Sequence, residues 1–153
     1  MGSRALKSPA GSLYDEDFAA WTAATARLLR ARRLAEVDLE HVAEEIEDMG
    51  KSQARERNSR LRVLLVHLLK WQGQPQKRSR SWRSTMDTQQ VELRDLLRQS
   101  PSLGRELSDS LPEVYRDAVR AASIETGLGV RGFPRECPFR VEQILDNDFL
   151  PEN

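Results

Sequence analysis

Apolar positions recur at spacings of three and four along most of this chain, the period of an amphipathic helix. Phe18, Trp21, Thr25, Leu28 and Leu29 share one helical face. Asp15 stands where an N-cap carboxylate would accept from free first-turn amides. Arg27, Arg30, Arg32 and Arg33 crowd the other end, where the helix dipole favours cations. The pattern predicts a helix over about 16–33. Asp38 caps a second segment, in which Leu39, Val42, Ile46 and Met49 form a stripe and Glu40, Glu44, Glu47 and Asp48 point mostly outward. Beyond Gly50 the same face would pass Gln53, Arg57 and Arg60, so its polar middle predicts a kink or short break near Gly50 and Lys51.

Leu61, Leu64, Leu65, Leu68 and Leu69 are apolar nearly all round, which predicts a central, buried helix closing near Trp71. Gly73 and Pro75 end it. Ser79 or Ser81 caps the next helix, whose stripe is Met86, Gln90, Leu93, Leu96 and Leu97. Ser100-Pro101 reads as cap and first helical residue of a short helix carrying Leu103 and Leu107. Pro112 either kinks that helix or begins another, capped by Ser110, with Val114, Tyr115, Ala118, Val119, Ala122 and Ile124 as its apolar positions. Gly127 and Gly129 stop it, Phe133 to Pro138 is extended, and Pro138 opens a last short helix with Val141, Ile144 and Leu145. No run alternates with period two, so strands are not expected. The fold class is all-α: a single-domain, mainly up-and-down bundle of about five to seven helices over 13–153, after a flexible arm at 1–12.

Composition narrows the class further. At 153 residues and 17.5 kDa, one domain is the default. Cys137 is the single cysteine, so neither an internal disulfide nor a four-cysteine zinc site can form. The longest apolar run, Val63 to Leu69, is too short to span a bilayer. The first residues carry no secretory h-region, and the expected location is the cytoplasm.

The 24 basic and 24 acidic residues are strongly segregated. Lys51 to Arg83 holds ten Lys or Arg against Glu56 alone, whereas Glu36 to Asp48 holds seven acids and no Lys or Arg. Glu136 to Asn153 adds five acids against Arg140. Either these blocks neutralise one another in the fold, or the basic stretch stays open to an anionic partner.

The pieces LYDEDFAAWT, DLEHVAEEIEDMGKS, RLRVLLVHLLKWQGQPQKRSRSWRST and FPRECPFRVEQILDNDFLPE, with SPSL, YRDA and ETGL between them, carry a family resemblance. From Leu13 to Glu152 the chain resembles the bacterial domain-of-unknown-function family 29. That resemblance implies an all-helical domain and brings no established activity with it.

Candidate chemistry concentrates in the basic stretch. Trp71 and Trp82 bracket Lys77, Arg78 and Arg80, with Lys70 and Arg83 just outside. Indoles interleaved with cations suit an acidic protein surface, or a nucleic acid held by stacking and phosphate neutralisation. The opposing reading closes the core with the tryptophans and pairs the cations with the acidic tail. This makes the leading functional expectation a non-enzymatic interaction or regulatory module; a homodimer is expected because the apolar central helix and the aromatic-rich first helix could use a second copy.

The alternative is enzymatic. Arg62 followed five positions later by His67 is similar to the signature of HEPN-type ribonucleases. In those, two copies meet across a dimer and act on phosphate and 2′-hydroxyl without metal; His supplies proton transfer and Arg charge stabilisation. A core histidine hydrogen-bonded within the bundle is the simpler reading. In the cluster of His41, Glu44, Glu45 and Asp48, His41 and Glu45 are four apart and could share a metal on one helical face, but no Glu-x-x-His pair occurs, and a solvated acidic face is the simpler account. Cys137 has no general base nearby in sequence and reads as structural. No phosphate-binding glycine loop or dinucleotide fingerprint is present, so no cofactor is expected.

Overall fold

The computed structural model describes residues 9–152, with side chains from Leu13 onward. The described residues are all-helical, with no strand among them. Seven α-helices follow in order: α1 (Pro9–Glu16), α2 (Phe18–Arg30), α3 (Leu39–Gly73), α4 (Arg80–Gln99), α5 (Pro101–Arg105), α6 (Leu107–Thr126) and α7 (Val141–Ile144). Single 3-10 turns at Leu34–Glu36, Pro75–Lys77 and Val130–Gly132 join some of them. The expected arm lies outside the described residues at 1–8, while 9–12 belong to α1. Contacts group the chain into two compact units that divide between Ser52 and Gln53.

In the first unit the predicted helix over 16–33 is α2, a few residues shorter at each end, and α1 precedes it. Asp17, not Asp15, caps α2, its side chain accepting from the Ala20 amide at 2.9 Å. Arg32 then takes a positive φ of 60° and ends the run. Trp21 and Thr25 are buried, and Trp21 meets Tyr14 and His41 edge-on. Asp38 caps α3 as expected, accepting from the His41 amide at 3.3 Å.

The predicted break near Gly50 does not occur, because α3 runs unbroken from Leu39 to Gly73. A lone glycine costs a helix only about 1 kcal/mol, which one long run of backbone hydrogen bonds absorbs.

The second unit is built on the C-terminal half of α3, as the apolar pattern required. Leu61, Leu64, Leu65 and Leu68 are fully buried against Met86 and Leu93 of α4 and Leu107, Tyr115, Ala118 and Ala122 of α6. Each such leucine contributes about 1.5–3 kcal/mol relative to exposure. Phe133, Phe139 and Ile144 bring the C-terminal segment onto the same core. Ser79 caps α4 through the Trp82 amide. Ser100 precedes Pro101 as expected, but its hydroxyl donates to Gln53 Oε1 at 3.0 Å instead of capping α5.

Three other expectations need correction. Pro112 lies inside α6 and begins nothing, and Ser110 is not its cap: the Ser110 amide and hydroxyl both donate to the Glu106 carbonyl. Ile124 is 77% exposed, since it sits at the end of α6 beyond the last core layer. The last helix begins at Val141, not Pro138, its start fixed by the Arg140 amide donating to Gln143 Oε1 at 2.9 Å.

Candidate functional site

The end of α3 exposes carbonyls with no partner further along the helix, and the basic turn that follows supplies donors for them. Arg78 folds back so that its Nε donates to the Trp71 carbonyl at 2.8 Å while its guanidinium lies over the Trp71 ring at 5.2 Å. Lys70 reaches the other way. Its ammonium lies 4.6 Å from the Trp82 ring centre and donates to Glu125 Oε2 on α6 at 2.7 Å. With a side chain only 12% exposed, Lys70 is largely withdrawn from water. Each indole thus carries a cation on its ring, an arrangement worth about 0.5–2 kcal/mol per pair. Trp71 also packs against the core.

Lys77 and Arg80 point into solvent, and Arg83 is half-buried, with Nη2 donating to the Asn147 carbonyl at 3.4 Å. Among the described residues, none of these three forms an ion pair. The acidic tail does lie on this region, but through its backbone: Gln72 Nε2 donates to the Glu152 carbonyl at 3.1 Å. The carboxylate that neutralises Lys70 is Glu125, which the charge blocks in the sequence did not single out.

Arg62 and His67 are placed differently from one another. Arg62 is exposed and lines a cavity of about 200 Å³ with Asn58, Ser59, Glu113, Val114 and Asp117, so two carboxylates face any phosphate that would enter. His67 does not line that cavity. Its ring is half-buried, and Nδ1 donates to the Val63 carbonyl one turn back at 2.8 Å. Five residues along a helix turn through about 140° from one side chain to the other, which explains the separation.

His41, Glu44, Glu45 and Asp48 do not gather a metal site, and no group of three metal-ligating side chains occurs among the described residues. Instead His41 stacks on Tyr14 at 3.9 Å, and its Nδ1 pairs with Asp38 Oδ2 at 2.5 Å. That bond raises the His41 pKa and lowers that of Asp38. The Tyr14 hydroxyl donates to Glu45 Oε1 at 2.6 Å, which holds the phenol up at about 12. These groups bind one another and tie α1 and α2 to the start of α3. Burial likewise pushes the Cys137 thiol up, away from the thiolate a nucleophile needs.

Two buried polar side chains hold the second unit together. Arg57 is buried in α3; its Nη1 donates to the Leu103 carbonyl at 3.0 Å and its Nη2 to Ser110 Oγ at 2.8 Å. Gln90 is buried in α4, and its Nε2 donates to the carbonyls of Ile144 and Asp146 at 3.1 and 2.9 Å. The position of Gln90 on an apolar stripe was a signal available in advance; Arg57 offered only a polar interruption.

Comparison with known families gives one match: the model of the domain of unknown function DUF29 covers residues 13–150. No curated protein and no solved structure matches the chain.

Proposed function

The chain belongs to the DUF29 family, and since that family carries no assigned activity, we propose from its own residues that it is a non-enzymatic interaction module. Its docking surface is the basic turn from Lys70 to Arg83, and its partner is an acidic polypeptide segment. The observation that carries this reading is the pair of cation–indole contacts, Arg78 on Trp71 and Lys70 on Trp82. They brace the turn internally and leave Lys77 and Arg80 as its exposed charges. A rigid turn with two solvent-facing cations pays little ordering entropy when carboxylates arrive. Single-stranded nucleic acid needs open aromatic faces for its bases. Here both indoles already carry a cation and both are half-buried, which favours the acidic polypeptide.

Fluorescence anisotropy with a fluorescein-labelled polyglutamate peptide tests this, beside labelled single-stranded DNA and RNA, at low and high salt. The peptide should bind at low salt, weaken as salt rises, and fail to bind a Lys77→Glu/Arg80→Glu variant. Absence of peptide binding at low salt, or binding indifferent to the charge reversal, would sink the proposal. Tighter binding of an oligonucleotide than of the peptide would replace the partner class. The ribonuclease alternative has no supporting geometry, since Arg62 lines a cavity that His67 does not reach.

A further inference from the structure

The segment after α6 folds back over that helix and borders a half-open cavity of about 690 Å³, well within the range of small-molecule sites. Its apolar wall is Tyr115, Val119, Val130 and Phe133. Three arginines also line it: Arg116 from α6, Arg131 from the 3-10 turn Val130–Gly132, and Arg135 beyond it. All three are exposed, and among the described residues none of their side chains forms an ion pair or hydrogen bond. Two other cavities of this unit contain acids, Glu113 and Asp117 in one and Asp146, Asp148 and Glu152 in the other. This one contains cations alone.

The cavity is preformed. The Tyr115 hydroxyl donates to the Pro134 carbonyl at 2.7 Å, tying the rim to α6. Ser123 Oγ donates to the Leu128 carbonyl at 2.6 Å, and the Gly132 amide to the Gly129 carbonyl at 2.8 Å, so the connecting turn is fixed as well. Phe133 is buried and anchors the centre of the segment. Like charges held around one apolar hollow repel, and an anion placed among them relieves that repulsion while gaining forked hydrogen bonds.

We infer that this cavity is a binding site for a small organic anion, with an apolar body seated on Tyr115, Val119, Val130 and Phe133 and a phosphate or carboxylate held by Arg116, Arg131 and Arg135. The site lies apart in sequence from the basic turn and does not depend on its reading. An inorganic anion would use only the arginines, and a neutral aromatic only the wall; the ligand needs both halves.

Amide chemical-shift titration with phenyl phosphate, phenylacetate, inorganic phosphate and phenol tests this. Concentrations up to about 10 mM suit compounds of this size. An aryl anion should shift resonances of residues 115–119 and 130–135 and bind about tenfold or more tightly than inorganic phosphate or phenol. An Arg131→Gln/Arg135→Gln variant should weaken the aryl anion by about tenfold or more with an unchanged spectrum elsewhere. The Lys77→Glu/Arg80→Glu variant should bind it normally, which keeps this inference separable from the proposed function. No shift at these residues with either aryl anion would overturn it. So would equal binding of inorganic phosphate, or affinity unchanged by the double glutamine variant.

Discussion

Replacing Arg57 is the sharpest test of how the second unit is held. The guanidinium is a polar plug in the packing of α3 against the α5–α6 junction, with a side chain only 4% exposed. Arg57→Met keeps an unbranched apolar stem but leaves the Leu103 carbonyl and Ser110 Oγ without this donor. Hydrogen bonds from a charged donor contribute about 1.5–3 kcal/mol each, part of which recovers the cost of burying the charge. The Glu106 contact is long at 3.5 Å and its carboxylate is 60% exposed, so water replaces that partner at little cost. The expected loss is therefore about 2–4 kcal/mol. Arg57→Lys keeps the charge without the planar fork that serves both acceptors, and should lose about half as much. Native-state hydrogen exchange at Val114, Ala118 and Ala122 reads this unit alone, because those amides lie in its core helix. A loss below about 0.5 kcal/mol in the methionine variant, within the usual range for surface substitutions, would refute the reasoning.

Gln90→Leu should cost about 2 kcal/mol although leucine is more apolar, because the Ile144 and Asp146 carbonyls lose their donor; limited proteolysis should then cut the C-terminal segment first. The Asp38–His41 pair makes the first unit pH-sensitive. The raised His41 pKa gives a contribution that is complete below its ordinary value of 6.5 and is lost as pH rises through the raised value. The lowered Asp38 pKa gives one that is lost as pH falls through the lowered value. Protection of the α2 amides should therefore peak in weakly acidic solution, and His41→Gln should abolish the decline on the alkaline side. Gly127→Ala should cost about 1 kcal/mol by thermal denaturation, since Gly127 closes α6 at φ 73° with open space where a Cβ would stand. Cys137 should react with a thiol reagent well below the rate of an exposed cysteine at neutral pH, because burial raises its pKa. A rate equal to that of a free thiol would contradict the half-buried placement.

Hydrophobic period alone determined that this chain is helical and that the run from Leu61 to Leu69 is its most buried stretch. Those properties follow from residues three and four apart, which a helix brings together whatever else the chain does. Glycine and proline placed the stops after Gly73 and Thr126 for the same local reason. No break forms at Gly50, because one residue and one polar face count for less than the backbone hydrogen bonds gained along the full helix.

Tertiary structure decided which polar residues are structural. Nothing within a few positions of Arg57 shows that Leu103 and Ser110 will stand opposite its guanidinium, and nothing near Lys70 identifies Glu125 as its partner. Arg116, Arg131 and Arg135 are scattered along 20 positions of sequence and become one site only when the segment after α6 folds back. The basic stretch first visible as a charge imbalance is thus divided by the fold. Lys70 and Arg78 serve the structure, and Lys77 and Arg80 are left to solvent. Composition counts all four alike, because charge is a property of the residue and exposure a property of its neighbours.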